Sequence, residues 1–227
     1  MALATNALTT VAKVKIELGI AVLDTSQDSI LEQYINVVSP AIEVYLNRPL
    51  AFVASVVELL RGPGDTSIFV SRTPVVTINS ILVRTSALDA TEFDLLTIEG
   101  FDNVGEIFRE TGWPWSVQLG GGITSDPVPG SERKDITVDY DGGYILPKDA
   151  GAPPAGSSFS LPADLEQAAI DAVVNRFRNK GVDQSIVAEG LMSANVKYDR
   201  GAANRDAGSE LPDLVQKALD KHKRWFD

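Results

Sequence analysis

The sequence predicts an α+β protein in which helices from both ends of the chain form a bundle and an antiparallel β insertion lies between them. Two observations carry this. Apolar residues recur at three- and four-residue intervals near both ends of the chain, whereas they alternate through its middle. The period changes at Pro49, and the middle is punctuated by Gly62-Pro63-Gly64-Asp65, Pro74, Gly100, Gly112 and Asp141-Gly142-Gly143. The expected division is N-terminal bundle helices over 1–50, a β-rich insertion over 51–160, and C-terminal helices with a tail over 161–227.

In chain order, Thr9 or Thr10 can cap a short helix through Leu18, with Val11, Val14 and Leu18 as its stripe and Gly19 as its stop. The stretch 26–50 is the organising helix. Ser26 is a plausible cap, and Ile30, Leu31, Tyr34, Ile35, Val38, Ile42, Tyr45 and Leu46 share one broad face. So wide a face needs more than one packing partner. Pro40 interrupts it and is expected to kink it, and Pro49 sets its end near Arg48. Strands are predicted at 56–61, 67–70, 75–84, 93–97, 106–109 and 135–145. The glycine- and proline-rich stretches 119–134 and 148–160 read as loops that are disordered or fixed by a neighbour.

The second helical part opens at Leu161-Pro162, with Pro162 suited to a first turn. Leu165, Ala168, Ala169, Ala172, Val173 and Phe177 form its stripe, which ends at Gly181. Alanine at successive turns permits close approach, so this helix is expected to pair with the organising one. Residues 182–210 read as irregular, with one possible strand at 195–198. A last helix is predicted over 211–226, with Leu211, Leu214, Val215, Ala218, Leu219 and Trp225 on one side and Lys217, Lys221 and Arg224 on the other.

Composition excludes several classes. At 227 residues with 44% apolar content the chain can bury a core, and no run of about 18 apolar residues is present to span a membrane. The N-terminus lacks the basic start and continuous apolar core of a secretory signal. Without cysteine there is no disulfide framework, thiolate metal site or cysteine nucleophile, and the single histidine, His222, reads as a solvated residue on a charged helix. A net charge of −11 disfavours tight binding to a nucleic-acid backbone. Residues 1–160 hold 10 Lys/Arg against 20 Asp/Glu, whereas 161–227 hold 10 against 11, so half the cations sit in the last third.

Candidate chemical sites are sparse. Asp139 and Asp141 point to one face and suit paired carboxylates or a calcium site, but no further oxygen ligands follow, so a strand-and-turn role is expected. Trp113-Pro114-Trp115 suits a sugar platform, packing or an interface. Gly120-Gly121-Gly122 lacks the lysine and the helix start of a phosphate loop. No catalytic, metal or cofactor set can be assembled, so no enzyme is expected.

The order YLNRPL, SIFVSRTPVVTINSI, ITVDYDGGY, LPADLEQAAIDAVVNRF, EGLMSANVKYD and a terminal helix resembles the head-to-tail connector (adaptor) proteins of tailed bacteriophages. Their shared order over nearly the whole chain makes the case, and the extended Gly/Pro-rich stretches depart from the pattern. The resemblance implies a structural virion protein at the head-tail interface, made in the bacterial host cytoplasm. It implies a closed ring, expected to be a dodecamer, that binds the portal protein, offers a platform for the stopper or tail-completion protein, and passes DNA through its lumen without specific binding or contact with a membrane. By position it assigns portal contact to Leu211, Leu214, Lys217, Lys221, Arg224, Trp225 and Phe226. Trp113, Trp115, Val196 and Tyr198 are expected between subunits. The competing reading is a β-rich carbohydrate-binding module on a helical scaffold. A DNA-binding role for the basic last helix is a third.

Overall fold

The computed structural model describes residues 2–96, 105–114, 135–180, 188–191, 194–197 and 211–223. It is a mixed α+β chain with antiparallel sheets. The chain divides into two compact units: Met1–Asn47 with Leu146–Lys148 and Leu161–Asp227 is the first, and Arg48–Ile145 with Asp149–Ser160 the second.

The first unit is helical. Helix α1 spans Val11–Leu18, and Thr10 caps it by accepting the Lys13 amide, while Gly19 closes it in the left-handed region. Helix α2 spans Asp28–Leu46. It starts later than expected, because Ser26 is held in a turn by its amide bond to Asp24 (2.9 Å) and Gln27 takes the cap position without a side-chain bond. It ends one turn short of Pro49, where Asn47 adopts φ 55° and returns its amide to Val44. Pro40 lies inside a continuous helix.

Leu31, Ile35, Val38, Ile42 and Leu46 of α2 are buried, and Ile30, Tyr34 and Tyr45 border them half-exposed. Helix α3 spans Ala163–Arg178 and packs on both α1 and α2, burying Leu165, Ala168, Ala169, Ala172 and Val173. Helix α4, Asp213–Leu219, packs on α3. The N-terminal strap is tied to α2 by side chains. Asn36 accepts from the Ala4 amide (2.8 Å) and donates to Ala2, and buried Ser39 accepts from the Leu8 amide (3.1 Å). Lys15, only 2% exposed, is paired with Asp28 and donates to the Val22 carbonyl (3.1 Å). A buried ammonium without such partners would be strongly unfavourable.

The second unit is built of strands β1 (Val53–Leu60), β2 (Ser67–Phe69), β3 (Val75–Val83), β4 (Ser86–Ala87), β5 (Asp94–Leu95), β6 (Glu106–Phe108) and β7 (Ile136–Gly142). One sheet has the order β1-β7-β3-β4 and the other β2-β6-β5, all neighbours antiparallel. The core includes Ile68, Val70, Ile81, Ile107, Trp113 and Tyr140. Strand β7 buries Ile136, Val138 and Tyr140 at alternate positions, as a strand with one core face must. Tyr140 donates its hydroxyl proton to Glu58 (2.8 Å) and accepts from the Arg72 amide (3.0 Å), while Glu58 also accepts from the Ser71 amide and hydroxyl. Burial pushes the Tyr140 hydroxyl up to about 12.

Asp141-Gly142-Gly143 is a point of close approach rather than a hairpin turn. A Cβ on Gly143, at φ 108°, would lie 2.5 Å from the Ala51 carbonyl oxygen. In the stretch 149–160, amide bonds from Ala152 to Asp149 and from Ser157 to Pro154 form turns, and Ile145 bonds to Phe159, so this loop carries local order of its own. The stretch 119–134 lies outside the described residues. Strands β8 (Ala188–Leu191) and β9 (Ala194–Lys197) form a hairpin where one isolated strand was expected.

Two outcomes follow for stability. Ile35→Ala, at a fully buried position, should cost about 2–5 kcal/mol in urea unfolding, whereas Ile16→Ala at an exposed one should stay within about 0.5 kcal/mol. Tyr140→Phe should cost about 1–3 kcal/mol by stranding its partners. The Tyr140 proton is held more tightly in the folded chain than at its ordinary value of 10.0, so its contribution is complete below that pH and lost as pH rises through about 12. Alkaline unfolding monitored by tyrosinate absorbance checks the direction.

Candidate functional site

The C-terminal segment is where the expected partner-binding residues concentrate. The α-helical run is shorter than predicted. It ends at Leu219 and passes into a 3-10 turn, Asp220–His222, after which Lys223 is extended. Side-chain bonds from that turn account for the change. Asp220 accepts from the Tyr45 hydroxyl (2.5 Å), Lys221 is paired with Asp164, and His222 Nε2 lies 2.8 Å from Asp164 Oδ2. Lys223 sits 4.5 Å from the centroid of the Tyr45 ring. His222 is thus half-buried and bonded, not the solvated residue expected from sequence.

These contacts shift two groups. Burial alone would raise Asp164, but the bonds from Lys221 and His222 outweigh it and bring the carboxyl down to about 2. The hydrogen bond to Asp220 is the main cause pushing the Tyr45 hydroxyl up to about 12.

The apolar stripe of α4 is also corrected. Leu211, Val215 and Leu219 are buried, a row at four-residue spacing, while Leu214 is 84% exposed and Ala218 exposed beside it. Each lies one residue, about 100°, off the buried row. An open groove of about 760 Å³ runs between α3 and α4, lined among others by Asp164, Gln167, Asp171, Leu214, Val215 and Lys217. The groove has an exposed leucine and an exposed lysine on one wall and carboxylates on the other. Sequence periodicity could not find the groove, because Leu214 falls within the spacing of the buried stripe. Arg224, Trp225 and Phe226 lie outside the described residues.

The residues expected between subunits divide. Trp113 is a core residue, 2% exposed, with its indole N–H directed to the Thr66 and Ile107 carbonyls and the Arg109 guanidinium 5.8 Å from its ring centroid. A side chain so enclosed offers no surface to a neighbour or a sugar, which corrects the inter-subunit expectation for this residue. Val196 lies in β9, paired across the hairpin with Glu189. Trp115 and Tyr198 lie outside the described residues.

Asp139 and Asp141 serve a bulge in β1. Ser55, at φ 53°, donates its amide to Asp141 (2.7 Å) and its hydroxyl to Asp139 (3.1 Å), and Asn79 donates to both carboxylates. The Ser55 amide, then Asn79, hold the Asp141 carboxyl below the usual carboxylate range. No group of three or more potential metal ligands occurs among the described residues. None of the helices described is long and apolar enough to cross a membrane.

Residues 8–84, from the N-terminal strap through β3, match the family described as phage gp6-like head-tail connector protein. A chain from the neck of an empty GTA particle, computed with C6 symmetry, has the same fold at TM-score 0.50 and 15% identity, covering 100% of this chain and 94% of that one. A chain from the neck of a native GTA particle, computed with C12 symmetry, matches at TM-score 0.46 and 15% identity, with the same coverage. None of the curated proteins shows significant sequence similarity to the chain. The resemblance to phage head-tail connector proteins thus extends over residues 8–84 in sequence, and the fold is shared with a GTA neck chain.

Acid should loosen the C-terminal segment. The Asp164 contribution is present above its ordinary value of 3.8 and lost as pH falls through about 2, so hydrogen exchange in α4 should accelerate across that window. Asp164→Asn should remove most of the pH dependence.

Proposed function

We propose that the chain is a ring-forming head-to-tail connector of a phage-like particle, located in the virion neck. The observation that carries this reading is the match of residues 8–84 to the head-tail connector family, supported by the shared fold with a neck protein. The ring is closed, with a copy number compatible with the sixfold symmetry of that neck, the dodecamer among the possibilities. It binds the portal protein on one side and receives the stopper or tail-completion protein on the other. Its acidic surface lets DNA pass the lumen without condensing on it, since carboxylates repel phosphate.

Portal contact falls to the open side of α4. Leu211, Val215 and Leu219 are committed to the bundle, and Lys221 to Asp164, which leaves Leu214 and Lys217 on the exposed wall of the groove. Arg224, Trp225 and Phe226 follow a few residues on in the sequence. An exposed leucine flanked by a lysine suits an amphipathic partner helix or groove.

The test is the mass of the purified full-length chain, alone and with the portal protein of the same particle. A closed ring, free or seated on the portal, is expected. Leu214→Asp with Lys217→Glu should abolish portal binding while leaving the fold intact by circular dichroism. A chain that stays monomeric with and without portal overturns the reading.

A further inference from the structure

The second unit contains two sets of charges that no opposite charge matches among the described residues. Arg84 lies 3.9 Å from Asp135 and Arg109 lies 3.7 Å from Glu92, but neither Arg48 nor Arg72 has a carboxylate within ion-pair reach among the described residues. Both are half-buried, and their Nε–H groups are shielded from water without an acceptor. Their heads converge on one locality. Arg48 donates to the Thr73 hydroxyl (2.7 Å) and lies 5.9 Å from the centroid of the Tyr144 ring, while Arg72, next to Thr73, donates to the carbonyl of Ala51, which bridges to Tyr144. A guanidinium with no carboxylate beside it among the described residues can still take a carboxylate or another anion on its outer N–H groups.

Asp139 and Asp141 are the reverse case. They stand two apart on β7 and accept only from neutral donors, Ser55 and Asn79, with no cation at hand among the described residues. Strand alternation puts them on the opposite face of β7 from Tyr140, whose hydroxyl accepts from the Arg72 amide. Among the described residues no ion pair joins the two arginines to the two aspartates within one copy. A second copy in head-to-tail orientation can supply that pairing.

We propose that Arg48 and Arg72 of one copy receive Asp139 and Asp141 of the next copy, forming the charge-matched contact of a heterologous interface. The proposal rests on the ring reading and supplies the chemistry that reading needs. Copies that each carry −11 repel one another, so association requires a place where unlike charges meet. A contact made by two different faces of the same chain repeats around an axis and closes into a ring when the rotation permits.

Full-length variants test it by native mass and sedimentation at low salt. Asp139→Asn with Asp141→Asn keeps the side-chain shape and should weaken self-association at least tenfold. If the aspartates only add to general repulsion, the same change should strengthen it, and that result overturns the contact. Arg48→Glu with Arg72→Glu, and separately Asp139→Lys with Asp141→Lys, should each fail to form rings alone. Mixed in equal amounts they should form alternating rings, because each altered face then meets its complement. Should the arginine variants fail to fold by circular dichroism, the asparagine variant decides. Wild-type rings that persist through every folded variant overturn the contact and spare the ring; a wild-type chain that never forms a ring, alone or on the portal, overturns both.

Discussion

A helix with an apolar face as broad as that of α2 cannot leave that face to water, and the first unit is arranged around that constraint. Helix α2 brings Leu31, Ile35, Val38, Ile42 and Leu46 to one broad surface, and no single neighbour covers it. Helix α1 and the N-terminal strap cover part from one end of the chain, and α3 covers part from the other. The polar residues within the helix serve the same end. Asn36 and Ser39 do not interrupt the apolar surface so much as fasten the strap across it, satisfying amides that burial would otherwise strand.

The second unit depends on β7 in a comparable way. As an inner strand it is paired on both edges, by β1 and by β3, so its backbone is satisfied and its two faces are free to differ. One face carries Ile136, Val138 and Tyr140 into the core, where the Tyr140 hydroxyl needs Glu58 and the Arg72 amide as partners. The other carries Asp139 and Asp141 outward, where they brace the β1 bulge through Ser55.

The elements with strong periodicity were legible from sequence, and the places where local chemistry overrode periodicity were not. Helix α1 and its caps, the broad face of α2 and the alanine-lined α3 all follow from spacing, since tertiary packing rewards the pattern already written in the chain. The start of α2 was misplaced because Ser26, a good cap by type, is drawn into a turn by Asp24. The last helix was drawn too long because nothing in the order of its residues reveals that Asp220, Lys221 and His222 have partners far away in sequence. Leu214 fits the apolar spacing yet lies exposed, since a short helix packed on one neighbour buries only one narrow row. Trp113 shows the opposite error, an aromatic in a turn-rich stretch that fills the core instead of a surface.

Residues 8–84 resemble head-tail connector proteins, and the chain shares its fold with a GTA neck chain while carrying few distinctive side chains. The position of His222 has a practical consequence in that setting. It is the one imidazole in the chain, and it sits at the junction that fastens the C-terminal segment to α3. Its Hε1 ring proton therefore gives one self-assigned nuclear magnetic resonance signal, well separated from the aliphatic envelope. That signal reads the attachment of the segment directly, without isotope labelling or an introduced probe.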